Sequence, residues 1–538
     1  MTLATARNAT TIPPDFLLES SERTDAWKEL LGQRRIILAS NRGPVQYKID
    51  NRGELVGQRG QGGLVTSLTS VLRHTRVSWV ASCMSEGDRE AARRQAASPQ
   101  AYLLDDSLRL RLVNVPAKAY RRHYQVFANP ILWFLQHSMA DQLLRRSPAL
   151  IREAWLWGYL PVNRAVARGV LQELGRADTV PWVFIHDYHL YPTGYLVRQQ
   201  APHALLQHFV HIPWPAPGKG LQTLGSVWQG ILQGLLSNDI VGFQTEAYAR
   251  NFLEDCRLSV PGSRVDLYGQ MVYYRGRMVR VRCYPISVDV AALRQDVGSL
   301  KVLAHRRALE SLCGEKTIVQ VERVDPSKNT LASLRAFCLL LESHPDLIGK
   351  VKLLAFLVPS RSSIPEYKRL GQQMMARIAS INERFGRGGY QPVHLFYENN
   401  YYQALAGMSL YDVLLVNPLA DGMNLVAKEG PIVNQKDGVL VLSEAAGAHL
   451  QLSSGAVSVS PNDVEGAARA LYQALGMSQQ ERRQRAHLLR SSIETEDLTN
   501  WLSRQMRDMV LLDAGRTGPD RGSVENRLEL SRTTRAGF

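Results

Sequence analysis

Along this chain, short runs of apolar residues alternate with longer stretches whose apolar positions recur every three or four residues. The short runs read as strands: Arg35 to Ser40, Trp182 to His186, Gln207 to His211, Thr317 to Glu322, Lys352 to Val358 and Asp412 to Pro418. The longer stretches read as helices, as with Leu64, Leu68, Val71 and Leu72, or Leu331, Leu334, Phe337 and Leu341, each set falling on one face. Strand and helix in alternation predict an α/β fold built on parallel sheets with crossover helices. A segment of helical composition at 291–315 separates two such groups, so the simplest organisation is two domains, 29–288 and 289–490, joined near Val288. A further helix over 491–512, with Trp501, Leu502, Met506 and Met509, either closes the second domain or crosses back to the first. The ends, 1–28 and 513–538, lack apolar periodicity and read as flexible.

Composition narrows the class. With 45% hydrophobic and 21% charged residues among 538, the chain is ordinary for a globular protein, which excludes disordered, collagen-like and coiled-coil classes. No run approaches the roughly 18 consecutive apolar residues of a membrane-spanning helix, so no membrane partner is expected. The N-terminal residues lack a continuous apolar segment and a small-residue cleavage site, so export is not expected. Five cysteines, Cys83, Cys256, Cys283, Cys313 and Cys338, are odd in number and free of any Cys-x-x-Cys pair. That argues against a disulfide framework or zinc site and for a cytoplasmic location. The net charge of +15 suits nucleic acid, an anionic surface or small phosphorylated substrates. Its basic residues fall in scattered pairs such as Arg121 with Arg122 and Arg482 with Arg483, without a long block or interleaved aromatics. Nucleic acid is therefore not expected, and small phosphorylated molecules are. A homo-oligomer is left open.

Four loops carry candidate chemistry. After the first strand come Ser40, Asn41 and Arg42, then a glycine cluster, Gly57 to Gly63, that opens a helix. Such glycines let backbone amides approach a phosphate, although most glycine-rich turns are merely turns. Next, Ile185-His186-Asp187-Tyr188-His189 and Val210-His211-Ile212-Pro213 end successive strands, where open α/β sheets bind ligands. Sugar hydroxyl contacts are expected for Asp187 and His211, and packing or hydrogen bonds for His186 and His189. A metal site from these four is the less favoured reading. In the third loop, Arg323 and Lys328 flank Asp325-Pro326-Ser327 beside a helix start, which suits a diphosphate clamp or, more blandly, a surface ion pair. The fourth, Ala420 to Gly430, offers free amides at a helix start and Glu429 one turn on, suited to a ribose diol or simply to the helix dipole.

These motifs, in this order, resemble the retaining glycosyltransferases of the trehalose-6-phosphate synthase family across about residues 34 to 510: SNRGPV, GQGGLV, YQVFANPILW, WGYLPVN, IHDYHLYP, HIPWPAPG, VGFQTEAYARNF, YPISVD, VERVDPSKN, PSRSSIPEY, DGMNLVAKE and VLSEAAGA. The resemblance implies the GT-B fold, two Rossmann-like domains facing an interdomain cleft. It implies that Gly62, Gly63, Arg323 and Lys328 meet the donor diphosphate, Glu429 the ribose, and Asp421, His211 and the amides of Met423, Asn424 and Leu425 the donor glucose. Arg42, Tyr124, Trp133 and Arg361 would bind the acceptor's phosphate, and Asp187 an acceptor hydroxyl. The catalytic set is then Arg323, Lys328, His211 and Asp421, with no metal or cofactor beyond the nucleoside-diphosphate glucose. The implied reaction is transfer of glucose to glucose 6-phosphate with retention. Pro326, Asn329 and Ala420 depart from the usual pattern, and HIPWP, Asp325-Pro326 with Lys328-Asn329, and SWVASCMSEGDRE look like the pseudoglycosyltransferase that couples a cyclitol phosphate in validamycin assembly, although that relative loses the lysine present here as Lys428. The glucosylglycerol-phosphate synthases depart at the position of Arg361 and stay a second alternative, and a non-catalytic sugar-phosphate-binding regulator is the alternative of another class.

Overall fold

A computed structural model describes residues 35–59, 76–98, 103–104, 108–143, 146–176 and 181–517. Gly62, Gly63, the helix expected from Leu64, the segment 1–28 and the chain beyond Thr517 lie outside the described residues.

Two large sheets organise the chain, with a two-stranded antiparallel pair, Val45–Ile49 and Leu55–Arg59, so Gly57, expected in a loop, lies in a strand. The first runs in the order Leu108–Val113, Val77–Ser82, Ile36–Ser40, Trp182–His186, Leu205–Phe209, Ile240–Phe243, Arg277–Cys283, Met271–Tyr274, Arg264–Asp266, parallel except for the final antiparallel pairs. The second, all parallel, runs Val393–Phe396, Val351–Val358, Lys316–Arg323, Val413–Val416, Val439–Ser443, Val457–Val459. Helices cover both faces, so central strands such as Ile36–Ser40 and Val439–Ser443 are buried at every position. That is why they read in the sequence as continuous apolar runs rather than alternating ones.

Among the parallel strands of each large sheet the strand order reverses at one place. The first reverses between Ile36–Ser40 and Trp182–His186, the second between Lys316–Arg323 and Val413–Val416. The crevice outside such a reversal, at the carboxyl ends of the strands, is where open α/β sheets hold ligands. Arg42, Asp187, Arg323 and Asp421 all emerge from strands bordering these two crevices, so topology alone gathers them.

Two helical expectations need correction. Residues 291–315 form two helices, Val290–Val297 and Leu300–Glu310, because Gly298 ends the first and the Ser299 hydroxyl caps the second. The expected helix over 491–512 is likewise two, Gln479–Thr495 and Leu498–Thr517, so helix also extends past the expected start of the tail at 513. The last helix returns to the first sheet. Trp501 packs edge-on to Phe209, the Gln505 side-chain oxygen accepts from Gln207 at 2.5 Å, and Tyr284 donates to Asp508.

One stretch has no local signature at all. Arg122–Leu132 winds as a π-helix and runs directly into the helical turn Trp133–Gln136, which places Tyr124 and Trp133 toward the cleft. It packs on a second π-helical stretch, Trp155–Tyr159, where a Cβ on Gly158 would sit 2.6 Å from the Arg122 Cβ. Wide turns of this kind concentrate at functional sites.

Candidate active site

The wall of the cleft built by the first sheet is aromatic and histidine-rich. Arg42, exposed just past its strand, reaches the Tyr124 hydroxyl at 3.5 Å, and Tyr124 stacks between Tyr120 and His189. Burial would raise the Tyr124 phenol, but the guanidiniums of Arg361 and Arg42 more than offset it, so its pKa lies below the ordinary tyrosine value. Asp187 adopts a left-handed backbone (φ +74), donates its N–H to the Phe209 carbonyl at 2.7 Å and accepts the His211 N–H at 3.3 Å. Burial pushes its carboxyl up to about 7.

His211 sits in a chain whose polarity can be assigned. The Ile286 N–H donates to the Gln244 side-chain oxygen at 2.9 Å, so the Gln244 amide nitrogen must face His211 Nδ1, 3.4 Å away. Nδ1 is then the acceptor and Nε2 carries the proton toward His186 Nδ1 at 3.1 Å. Burial keeps both rings neutral, lowering His186 to about 3 and His211 well below its usual value. Both His211 ring nitrogens are thus engaged inside the protein, and its backbone carbonyl is the atom that borders the opposite wall.

The second sheet supplies the charge. Lys328 pairs with Asp421, whose carboxylate also accepts from Asn424 Nδ2 at 3.0 Å. Burial would raise Asp421, yet Lys328 holds it below the usual carboxylate range. Arg323 leaves its strand over the Trp133 ring at 5.6 Å. Arg361 is 4.1 Å from the same ring and gives hydrogen bonds to Asp325 (2.8 Å), the Tyr367 hydroxyl (2.6 Å) and the Tyr188 hydroxyl (3.1 Å). The Trp133 indole N–H is engaged too, with Asp325 at 2.9 Å. Beyond Asp421 the N–H groups of Met423, Asn424 and Leu425 find no acceptor among the described residues, leaving a row of donors at the start of helix Val426–Val433. Glu429 follows one turn on, and burial pushes it up to about 7. Its neighbour Lys428 is fully buried, lowered by burial to about 7, and donates to the Ile286 carbonyl at 2.8 Å.

The walls touch where side chains would not fit. A Cβ on Gly422 would lie 1.8 Å from the His211 carbonyl oxygen, and behind it, within the second wall, one on Gly447 would lie 2.0 Å from the Gly422 oxygen. Tyr248 donates to the Asp421 carbonyl at 3.1 Å, and Arg146 pairs with Glu366 at 2.6 Å. Four non-glycine residues in the left-handed region, Asp187, Asn329, Arg361 and Asn424, sit in these cleft loops, where strain is most often retained.

The structure therefore brings Arg42, Tyr124, Trp133, Asp187, His211, Arg323, Lys328, Arg361, Asp421 and Glu429 to one cleft. Asp325, Tyr188, Tyr367 and Gln244 belong to the same network but are not among the expected site residues, and Lys428, marked in the sequence only as a difference from the pseudoglycosyltransferase, joins it through the Ile286 carbonyl. Asp325 had a visible cue, since Asp before Pro-Ser is a helix-cap pattern, but nothing local announces its partners.

Comparison with known proteins agrees with this architecture. The profile of glycosyltransferase family 20 matches residues 34–510. The UDP-forming α,α-trehalose-phosphate synthase of Pichia angusta is 32% identical over 491 residues, covering 88% of this chain and 98% of its own length. The trehalose-phosphate synthase A of Dictyostelium discoideum (29%) and the bifunctional synthase/phosphatase of Thermoproteus tenax (32%) are longer; the chain, matched over 87% of its length, spans 61% and 62% of theirs. Among solved structures, the Escherichia coli protein bound with UDP-2-fluoro glucose superposes with a TM-score of 0.76 at 26% identity, covering 88% of this chain and 98% of its own. The Burkholderia xenovorans synthase in complex with glucose-6-phosphate gives 0.74 at 27%, covering 88% and 99%. With two Rossmann-like domains closing on one cleft, this chain belongs to glycosyltransferase family 20 and has the GT-B fold.

Proposed function

We propose that this chain is a retaining, metal-independent glucosyltransferase that moves glucose from a nucleoside-diphosphate glucose to glucose 6-phosphate, giving trehalose 6-phosphate. The observation that carries the reading is the meeting, in one cleft, of a guanidinium and aromatic cluster (Arg42, Tyr124, Trp133, Arg361) with the Lys328 and Asp421 pair at a donor-rich helix start. The first suits an acceptor phosphate, the second a sugar diphosphate. In the reaction the bond from the anomeric carbon to the diphosphate breaks as one forms to the acceptor hydroxyl on the same face. That hydroxyl's proton passes to the departing diphosphate oxygen, and Arg323 and Lys328 neutralise the charge growing there. Asp187 would accept from an acceptor hydroxyl, Asp421 and the amides of Met423 to Leu425 would hold the donor glucose, and Glu429 the ribose.

The departure at Asn329 has a backbone explanation. Its φ is +62, a conformation that glycine and asparagine tolerate best, and its side chain donates to the Pro461 carbonyl at 2.7 Å. It therefore favours neither relative over trehalose 6-phosphate synthesis. Purified protein with a panel of nucleotide glucoses tests the reading. Glucose 6-phosphate should be used up to about 10⁴-fold more efficiently than glucose, because a site built around a phosphate leaves its donors unpaired without one. Equal use of the two overturns it, preference for glycerol 3-phosphate or an amino-cyclitol phosphate reassigns the chain to a relative, and absence of turnover favours a regulator.

A further inference from the structure

Asp325 is fully buried and uses both carboxylate oxygens. Oδ1 accepts from Trp133 Nε1 (2.9 Å) and from the Ser327 N–H (3.0 Å) and hydroxyl (2.9 Å), while Oδ2 accepts from Arg361 Nη1 (2.8 Å). Three regions of the chain meet on this one group. Trp133, 192 residues away, comes from the first domain, Arg361 from the loop after Val351–Val358, and Ser327 from the turn that presents Lys328. Arg361 also donates to the Tyr367 and Tyr188 hydroxyls, but its backbone is left-handed (φ +48) and its side chain, 6% exposed, lies over the Trp133 ring, so its charge is desolvated. A desolvated guanidinium needs a counter-charge, and Asp325 supplies it.

We propose that Asp325 is the positioning residue of the acceptor-phosphate clamp, fixing Arg361 against Trp133 across the cleft and tying both to the turn that carries Lys328. The proposal rests on the acceptor reading given above. Asp325 does not touch the acceptor; it acts by preorganising the groups that do. Helix capping alone would explain the Oδ1 contacts with Ser327, but not the Oδ2 contact with Arg361 or the indole bond from the other domain.

The two oxygens let substitution separate these roles. Asp325→Asn keeps the shape but sets an amide N–H against Arg361 Nη1 in one orientation, or against the indole and Ser327 donors in the other, so one donor-to-donor clash is unavoidable. Asp325→Ser retains a good cap residue without the charge or the clash. Kinetics with donor and acceptor varied separately should show the acceptor KM rising at least tenfold in both variants, with the donor KM within threefold of wild type. Arg361→Ala combined with Asp325→Asn should be no worse than Arg361→Ala alone, and Ser327→Ala should leave the acceptor KM within threefold. Equal rises in both KM values, a fall in kcat with acceptor KM unchanged, additivity in the double variant, or an acceptor loss in Ser327→Ala matching Asp325→Asn would each reduce Asp325 to a cap and overturn the proposal. If Asp325→Asn fails to fold, Asp325→Ser gives the same readings. Wild-type indifference to the acceptor's phosphate would instead overturn the earlier reading, and the KM split would then be read with whichever acceptor wild type uses.

Discussion

The two walls of the cleft are both buried, yet burial has opposite results in them. On the first-sheet wall His123, His186 and His208 are each lowered to about 3 by burial, so these rings are neutral: His186 faces His211, His208 faces the Asp187 carbonyl, and His123 stacks on Tyr159. On the second-sheet wall burial would likewise neutralise Asp325 and Asp421, but Arg361 and Lys328 lie against them and hold both below the usual carboxylate range. The difference is partnership rather than depth: a buried group without a counter-charge gives up its charge, and one with a close partner keeps it. One wall can therefore shape and orient, while the other carries preorganised charge of the kind that the proposed reaction would use at a departing diphosphate.

That division is broken most directly at Lys328. Replacing it with alanine should lower kcat by about 10²- to 10³-fold, the range for losing one charge-stabilising donor. Near-normal turnover by a folded Lys328→Ala protein would show that the charged wall is structural. Next in size is the seam itself. Gly422→Ala inserts a methyl where only 1.8 Å separates the Cβ position from the His211 carbonyl oxygen. The walls must then part by more than an ångström, and a misplacement of about 1 Å already costs on the order of 10²-fold in rate when it misaligns reacting groups. Unchanged kcat would mean the walls need not meet.

Much of this was legible in the sequence, for a physical reason. Strands covered on both faces must be apolar throughout, so runs such as Trp182 to His186 announced themselves, and strand-end residues such as Asp187 and Arg323 could be marked as ligand-facing from chain order alone. What stayed hidden depends on groups distant in the chain. The bonds from Asp325 to Trp133 and Arg361 span 192 and 36 residues, and no local pattern encodes them. The π-helical winding of Arg122–Leu132 depends on its packing against Gly158, and the return of Leu498–Thr517 to the first sheet depends on contacts such as Trp501 on Phe209. An amphipathic pattern shows that a helix has a buried face, not which sheet covers it.

A smaller test concerns Glu429, a charged-wall carboxyl that lacks a counter-charge and is pushed up to about 7 by burial. Below pH 7 it is increasingly protonated and loses capacity to accept from a ribose diol, so the donor KM should rise as pH falls through 7. Glu429→Gln should raise the donor KM about tenfold, the equivalent of about 1.4 kcal/mol for hydrogen bonds to a charged group, and flatten its pH dependence. Asp187, raised to a similar value, lies on the acceptor side, and Lys428, lowered to about 7, is retained in Glu429→Gln, so the difference between the wild-type and variant donor KM profiles isolates Glu429. A pH profile identical in wild type and variant would exclude Glu429 as its source.

The smallest expected effect is no effect, and it tests the neutral wall. His186, Asp187, His189 and His211 are all of metal-ligand type and lie together. His186 Nδ1 and His211 Nε2 face each other at 3.1 Å, His211 Nδ1 faces Gln244, and Asp187 accepts the His211 N–H. Lone pairs used in this way are not directed at a common point, and among the described residues no group of three His, Cys, Asp or Glu side chains converges as a metal site would require. In the proposed reaction, the charge that a divalent ion would bring to a diphosphate would come from Arg323 and Lys328. Dialysis against EDTA should therefore leave kcat and both KM values unchanged. Lys328→Ala assayed with added Mg²⁺ sharpens the point, because rescue by the ion would mean that a cation can take over the lysine's task. Loss of wild-type activity on chelation, restored by a divalent ion, would turn the four first-wall residues into candidate ligands and reverse the assignment of charge between the walls.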